Sequence, residues 1–173
     1  MNITVRRLER GDDRSGFQSG TIELDRFFQL YAGQNQFRHH LGTTYVAVEG
    51  GDEVSAASKL VGFVTVAPSE IAPPTTSQKK RRAYPLPVLR IARLAVDSRA
   101  QGRGIGGVLL RAVFGLAVKM SEELGCVGVV VDAKPEAVGF YEKLGFIPLE
   151  MVSGALGDRP QPTPMFLEVG QLR

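Results

Sequence analysis

Residues 99–106 read Arg-Ala-Gln-Gly-Arg-Gly-Ile-Gly, and the glycines at positions 102, 104 and 106 make this the most informative stretch of the sequence. It follows an apolar segment that ends at Val96 and precedes a segment with helical hydrophobic spacing, which predicts a turn between a strand and a helix. A helix N-terminus offers unpaired backbone N–H groups and a partial positive charge, and glycines let a phosphate approach them closely. The stretch therefore predicts a diphosphate-binding turn.

Two arginines, Arg99 and Arg103, lie within this turn and add positive charge beside the expected diphosphate. The glycine spacing departs from the G-x-G-x-x-G of dinucleotide-binding folds, and no P-loop Lys-Ser/Thr pair follows it. Both departures argue against an NTPase. A glycine-rich stretch can also be a flexible loop, but its place between a strand and an amphipathic helix favours ligand binding.

The hydrophobic pattern predicts the element order βαββ, a loop, and βαβαββ, which is a single mixed sheet with helices on its faces. The predicted strands are 2–8, 43–49, 60–68, 88–97, 126–132, 146–149 and 164–169. The predicted helices are 22–37, with Gly20-Thr21 as its cap, 104–124 and 137–144. The prolines at 73, 74, 85 and 87 predict an irregular, exposed loop over 69–87.

Length and composition indicate one soluble domain over residues 1–173, because 43% hydrophobic residues suffice for a single core. No stretch has the length and hydropathy of an export signal or a membrane span, so we expect a cytoplasmic protein. Cys126 lies in an apolar run and is expected to be a buried core residue rather than a catalytic thiol. His39 and His40 have no ligand cluster at metal spacing, so we predict no metal site.

Positive charge is concentrated in one part of the chain. Residues 77–119 hold ten lysines and arginines against Asp97 alone, a net charge of +9, whereas the whole chain carries only +3. The rest of the chain is therefore negative, and this asymmetry favours a phosphate-rich partner at the basic region.

The motif RAQGRG at 99–104 and the later FYEKLGF at 140–146 together resemble the GNAT acetyltransferase superfamily, with the resemblance strongest over 88–149. It implies a mixed α/β (α+β) GNAT fold with a six- to seven-stranded sheet and splayed fourth and fifth strands. It also implies acetyl-CoA as co-substrate, with the pantetheine arm on backbone groups of the fourth strand and the diphosphate on the glycine turn. The residues assigned to acetyl-CoA on this basis are Leu94, Ala95, Val96, Arg99, Gln101, Gly102, Arg103, Gly104, Ile105, Gly106, Gly107 and Phe140.

Transfer of an acetyl group from a thioester to an amine needs a neutral amine and an acid for the departing thiolate. The resemblance places Tyr141 beside the sulfur, and a phenol that is protonated at neutral pH suits the role of that acid. The alternative is a tyrosine that only packs under its helix. The fourth strand has no Glu or His as general base, which favours an α-amine that is already partly neutral. Asp97 and Asp132 stay open as bases acting through water.

A second resemblance, to the GNAT toxins of bacterial toxin–antitoxin pairs, spans most of 17–149. It is carried by FQSG (17–20), IELDRFF (22–28), AGQNQ (32–36), TYVAV (44–48), YPLPVL (84–89) and RLAVD (93–97). It implies acetylation of the α-amine of aminoacyl-tRNA, which stops translation. It further implies a ribbon-helix-helix antitoxin and a homodimer.

The basic region is consistent with an RNA substrate, because lysines and arginines bind backbone phosphates. The tRNA-binding candidates are Lys79, Lys80, Arg81, Arg82, Arg90 and Arg93. Arg90 and Arg93 could instead extend along the strand surface or pair with acidic residues such as Asp97. Two other functions stay open: a GNAT enzyme acting on a small amine or a protein N-terminus, and a non-catalytic acyl-CoA-binding module.

Overall fold

The computed structural model describes residues 2–50, 59–72, 85–149 and 162–172. Seven strands form one sheet in the order β1-β2-β3-β4-β5-β7-β6. The strands are β1 (Ile3–Arg7), β2 (Thr43–Glu49), β3 (Lys59–Ile71), β4 (Leu86–Val96), β5 (Gly128–Ala133), β6 (Ile147–Pro148) and β7 (Thr163–Glu168). The helices are α1 (Ile22–Arg26), α2 (Ile105–Glu123) and α3 (Val138–Lys143). The predicted mixed sheet and element order are confirmed.

The sheet is antiparallel except at β4 and β5. The β1–β2, β2–β3, β5–β7 and β6–β7 pairs are antiparallel, and β4 pairs with β5 in parallel. The parallel register joins Leu89–Ile91 to Val129–Val131, while β4 itself continues to Val96. The backbone of 92–96 therefore lies outside that register.

The chain divides into two compact units, Met1–Ala67 with Ala92–Val113 and Pro68–Ile91 with Phe114–Arg173. In the first unit the core is built around Phe63, whose ring stacks on Phe28 with centroids 4.4 Å apart and meets the edge of Phe17. In the second unit Phe146 contacts both Phe114 and Tyr141. Burial of these large rings stabilises each unit.

The predicted helix over 22–37 is confirmed, but it is not a uniform α-helix. After α1 the chain forms π-helical turns at Phe27–Tyr31 and Gln34–Arg38, and the whole segment from Ile22 to Arg38 is called the first helix below. Thr21 occupies the N-cap position, but its side chain makes no capping hydrogen bond. Instead, the Asp25 carboxylate accepts hydrogen bonds from the backbone N–H and the hydroxyl of Ser19, at 2.8 and 2.6 Å.

The loop predicted over 69–87 is shorter than expected, because β3 continues to Ile71 and β4 already begins at Leu86. Pro87 lies within β4 although it has no backbone N–H to donate to a neighbouring strand. Its ring is exposed, and its carbonyl accepts a hydrogen bond from Val127 N at 2.8 Å. The remainder of this loop, 73–84, lies outside the described residues. Cys126 is buried and its Sγ donates to the Gly128 carbonyl, so its predicted core role is confirmed.

Candidate active site

The glycine turn joins β4 to α2 and leaves its backbone open. Gly102 and Gly104 have φ values of 81° and 82°, a left-handed conformation that glycine adopts without strain. A Cβ atom at Gly102, Gly104 or Gly107 would meet no atom within 4 Å. The first hydrogen bond within α2 runs from Val108 N to Gly104 O, so the preceding N–H groups have no intrahelical partner. The turn thus has the donors and the space that a diphosphate requires.

A segment from the N-terminal part of the chain holds this turn in place. Ser98 N donates to the Gln18 carbonyl at 2.7 Å. The side-chain amide of Gln101 donates to the carbonyls of Ser19 and Val96, at 2.9 and 3.0 Å. Because Gln101 is fastened in this way, its contribution to a bound anion is its backbone N–H rather than its side chain.

The Asp97 carboxylate connects the turn to the segment at Gln18 through hydrogen bonds. Its side chain is only 1% exposed and accepts hydrogen bonds from the Arg99 side chain, from Arg99 N and from Gln18 N. Burial alone would raise the pKa of this carboxyl, but the hydrogen bonds from Arg99 and Gln18 outweigh it and lower the pKa to about 2. Such a weakly basic, fully engaged carboxylate is unsuited to act as the general base, contrary to one of the two sequence-based candidates.

Arg99 is correspondingly less available than the sequence predicted. Its guanidinium is 62% exposed, yet it bonds both oxygens of Asp97 and donates to the Gly16 carbonyl at 3.3 Å. Its charge lies beside the turn, while three of its five N–H donors are bonded to protein acceptors. Its role in the structure is to join 16–18 to the end of β4.

Arg103 forms an ion pair with Glu49, the last residue of β2. The Arg103 hydrogen bond holds the pKa of Glu49 below its usual range. A diphosphate on the turn would compete with this carboxylate for the guanidinium.

Replacing Glu49 by glutamine should therefore tighten acetyl-CoA binding by about two- to fivefold, the scale of an exposed ion pair. The Kd for acetyl-CoA, measured by calorimetry at low salt, checks this. Glu70→Gln removes the same charge from an exposed position of β3 and serves as the control. Equal Kd values for wild type and Glu49→Gln would mean that Arg103 does not reach the diphosphate.

The end of β4 presents Leu94, Ala95 and Val96, the residues assigned to the pantetheine arm. Ala95 is buried, and Leu94 and Val96 are half-buried. Gly62 on β3 permits close packing here, since a Cβ at that position would lie 3.1 Å from Ile105 and Leu109 side-chain atoms and 3.2 Å from the Ala95 carbonyl. Ile105 itself is buried, so it can offer a ligand only its backbone N–H.

Tyr141 lies in α3 and is 5% exposed. Its ring packs edge-on against Phe140 and Phe146, with centroids 5.1 and 5.2 Å away. Burial raises the pKa of its phenol to about 12, so the hydroxyl stays protonated well above neutral pH. Among the described residues, no group forms a hydrogen bond with this hydroxyl. By contrast, every side-chain nitrogen or oxygen atom of these residues that is shielded from solvent has a hydrogen-bond partner. The hydroxyl is therefore a proton donor that has no acceptor within residues 2–50, 59–72, 85–149 and 162–172.

The basic candidates for RNA binding separate into three environments. Arg90 donates to Ser69 and to Asp132, the latter at 3.2 Å, so both Arg90 and the second candidate base are in an ion pair. Arg93 lies over the Phe27 ring, 3.8 Å from its centroid. The basic run of Lys79, Lys80, Arg81 and Arg82 lies outside the described residues.

Sequence reasoning missed two groups that shape the turn, the backbone of Gln18 and the carboxylate of Glu49. Gln18 lies within the toxin-like FQSG stretch, which was a signal that this segment matters, whereas nothing local marks Glu49. In the described part of the chain, no three His, Cys, Asp or Glu side chains are grouped to hold a metal ion. Within the same residues, no helix combines the length and apolarity needed to cross a membrane.

Comparison with known proteins gives one family and several relatives. A family model described as an acetyltransferase (GNAT) domain matches residues 40–148. The tRNA-acetylating toxin of Mycobacterium tuberculosis is 32% identical over 147 residues, which cover 82% of each chain. A protein of Oryza sativa subsp. japonica named probable glucosamine 6-phosphate N-acetyltransferase 2 is 43% identical over 152 residues, covering 84% of this chain and 82% of its own.

Solved structures share the fold over nearly the whole chain. AtaT complexed with acetyl-methionyl-tRNAfMet is 24% identical with a TM-score of 0.81, covering 99% of this chain and 97% of its own. A tyrosine-to-phenylalanine mutant of the AtaT toxin, bound to acetyl-CoA and the C-terminus of the antitoxin AtaR, is 22% identical with a TM-score of 0.76. That match covers 98% of this chain and 95% of the mutant toxin.

Proposed function

Because the chain belongs to the GNAT acetyltransferase family, we propose that it moves the acetyl group of acetyl-CoA onto the α-amine of an aminoacyl-tRNA and thereby blocks translation. The observation that carries the proposal is the 32% identity to a tRNA-acetylating toxin across 82% of both chains. The solved complex of AtaT with acetyl-methionyl-tRNAfMet supports the same substrate class. The chemistry of the chain's own residues supports it independently.

Acetyl-CoA is assigned to the turn and the end of β4. The diphosphate accepts from the backbone N–H groups of 101–107, and the pantetheine arm follows the backbone of Leu94–Val96. Arg103 exchanges its Glu49 partner for the diphosphate, while Arg99 stays with Asp97 and acts by positioning the turn. Phe140, which is partly exposed beside Tyr141, is assigned to contact the same substrate.

The chain supplies one proton donor to the reaction. As the neutral amine nitrogen attacks the thioester carbonyl, a C–N bond forms, the C–S bond breaks and the departing thiolate takes the proton of the Tyr141 hydroxyl. The nitrogen loses one of its protons as the amide forms, and that proton returns the Tyr141 phenolate to the phenol through solvent water. The high pKa of Tyr141 keeps that proton in place until negative charge forms on the sulfur. With Asp97 fully engaged and Asp132 paired with Arg90, an amine that is partly neutral by itself fits this site best. An α-amine, with a pKa of about 7.7–8.0, meets that condition and a lysine amine does not.

The larger assembly belongs to the same proposal. We assign residues 1–173 to a single GNAT domain. The family match across 40–148 supports a single domain because it includes parts of both compact units. We also assign the protein to the cytoplasm. We also assign a ribbon-helix-helix antitoxin and a homodimeric state. The AtaT complex with the C-terminus of its antitoxin supports an antitoxin partner.

The direct experiment incubates the purified protein with labelled acetyl-CoA and a mixture of charged tRNAs, then looks for label on the aminoacyl ester. We expect label on one or a few charged tRNAs and none on deacylated tRNA. Absence of label on every charged tRNA would reject the tRNA substrate. The Oryza sativa relative makes a small amine the second candidate, so glucosamine 6-phosphate is included as an acceptor.

Salt dependence separates these two substrates. Even two phosphate contacts should raise the KM for charged tRNA about tenfold between 50 and 200 mM salt. A small amine acceptor should change little over that range. A salt-independent KM for charged tRNA would show that Arg90, Arg93 and the 79–82 run make no phosphate contacts.

A third possibility, a module that binds acyl-CoA without catalysis, predicts acetyl-CoA binding with no transfer to any acceptor. The Tyr141 hydroxyl, which lies on a buried side chain and has no hydrogen-bond partner in the described part of the chain, argues against it.

A further inference from the structure

A surface cavity of about 400 Å³ lies between the first helix and β4. Its lining combines rings, guanidinium groups, a carboxylate and an amide. The lining residues are Glu23, Arg26, Phe27, Tyr31, Asn35 and Arg93. No step of the acetyl transfer described above uses this cavity.

The first helix is built so that four of these side chains share one face. Glu23, Phe27, Tyr31 and Asn35 recur at intervals of four residues. In a regular α-helix, side chains four apart rotate by about 40° at each step, so such a row would wind away from the cavity. The wide π-helical turns, bonded from Ala32 N to Phe27 O and from His39 N to Gln34 O, have more residues per turn and counter that rotation. Such turns occur often at functional sites.

Two of the lining residues form a cation–π contact, in which the Arg93 guanidinium stacks on the Phe27 ring. Phe27 is buried against Phe63, and the Arg93 guanidinium carbon lies 3.8 Å from the Phe27 centroid. Burial lowers the pKa of Arg93 from its usual value, although a guanidinium stays charged at any physiological pH. Arg93 and Tyr31, whose side chain is 45% exposed, both line the cavity.

The charges of the cavity remain available to a ligand. Among the described residues, neither Arg26 nor Arg93 forms an ion pair. The two guanidinium groups outweigh the one carboxylate, Glu23, so the lining carries net positive charge. Arg93 also directly precedes Leu94, the first residue assigned to the pantetheine arm. The cavity therefore opens beside the strand to which the acyl donor is assigned.

We propose that this cavity binds the terminal nucleoside of the RNA that carries the amino acid, with its base against Tyr31 and the Arg93 guanidinium and its phosphate reached by Arg26. The proposal rests on the proposed function for the identity of the RNA. Unstacked bases of single-stranded RNA bind in this way, on aromatic rings and arginine planes with amides at their edges. A pocket for an apolar amino acid side chain would instead be lined mainly by apolar groups, and four of the six residues here are charged or amide-bearing.

The test begins with direct binding, using the full chain with acetyl-CoA present and the trinucleotide 5′-CCA-3′, the sequence of every tRNA 3′ end, as probe. Wild type should bind CCA at least fivefold more tightly than the same trinucleotide with an abasic third position. Tyr31→Ala and Arg93→Lys should each weaken CCA binding by about tenfold, since stacking contributes on this scale. Lysine keeps the charge of Arg93 but loses its plane. Tyr31→Phe keeps the ring and should restore binding.

Leu30→Ala and Arg111→Ala are the matched controls, because both residues are exposed and lie outside the cavity lining. Both should bind CCA as wild type does. Equal binding of CCA and its abasic form, or equal binding by wild type and the two cavity variants, overturns the nucleoside site.

Acetylation provides the second readout. With charged tRNA the cavity variants should lose at least tenfold more kcat/KM than they lose with a small aminoacyl ester that has no nucleoside. Equal losses with both substrates would overturn the proposal by assigning the cavity to the amino acid itself. If wild type acetylates no charged tRNA at all, the proposed function fails, while the trinucleotide experiment still decides the nucleoside site.

Discussion

Replacing Tyr141 by phenylalanine is expected to lower kcat about 10²-fold or more while leaving the Kd for acetyl-CoA within about twofold. The change removes one oxygen and its proton and keeps the ring that packs on Phe140 and Phe146. Because burial raises the pKa of this phenol to about 12, the wild-type hydroxyl is fully protonated at the pH of the assay. The variant would lack the proton donor that the proposed mechanism assigns to the leaving thiolate. Single-turnover transfer and calorimetric binding of acetyl-CoA check the two parts separately.

Tyr45→Phe is the matched control, because Tyr45 is a half-buried tyrosine of β2 with no role in the proposed chemistry. It should retain wild-type kcat. A Tyr141→Phe protein that turns over within a few fold of wild type would remove Tyr141 from the mechanism and leave it as a packing residue. A variant that loses acetyl-CoA binding together with turnover would indicate a structural role.

Replacing Asp97 by asparagine is expected to lower the free energy of unfolding by about 2–3 kcal/mol, the range for buried hydrogen bonds to a charged group. The amide oxygen can keep two of the four hydrogen bonds that the Asp97 oxygens now accept, and the NH₂ group that replaces the other oxygen brings two N–H donors of its own. Since these bonds hold the glycine turn, acetyl-CoA affinity should fall as well. Urea unfolding at pH 7 measures the first effect, and calorimetry measures the second.

The stability difference should depend on pH in one direction. The pKa of Asp97 in the folded protein, about 2, is below its ordinary value of 3.8. Asp97 therefore stabilises the fold above about pH 4, and this contribution is lost as pH falls from about 4 through 2. The gap in unfolding free energy between wild type and Asp97→Asn should shrink across that window, and a constant gap would show that the carboxylate charge is not what stabilises the turn.

Asp132→Asn is the natural comparison, because Asp132 also pairs with an arginine but is 57% exposed. Exposed ion pairs contribute little, so this variant should stay within about 0.5 kcal/mol of wild type. The pair of variants also tests the general-base hypothesis. A fall in kcat in either variant with unchanged stability and acetyl-CoA affinity would restore that residue as a base acting through water.

Local features of the sequence were sufficient to predict the turn, α2 and most of the strands. Glycines at 102 and 104 permit left-handed backbone, and hydrophobic periodicity reports which face of an element is buried. Both properties depend on a few neighbouring residues, so they can be predicted from the sequence without the tertiary structure. The family resemblance rested on the same local motifs, and for that reason it held over 40–148.

The partners of the charged residues were decided only by the tertiary structure. Asp97 meets Gln18 across 79 positions of sequence, and Arg103 meets Glu49 across 54. Arg93, a predicted tRNA ligand, lies over the Phe27 ring, a contact that the sequence did not reveal. The π-helical turns of the first helix were likewise not evident from its amphipathic spacing. The sequence shows that a charged residue is present, but it does not show which residue pairs with it, because the pairing depends on strand register and on which segments pack together. The sequence by itself thus predicted a glycine turn suited to a diphosphate, and the tertiary structure decided which protein groups the arginines near it contact.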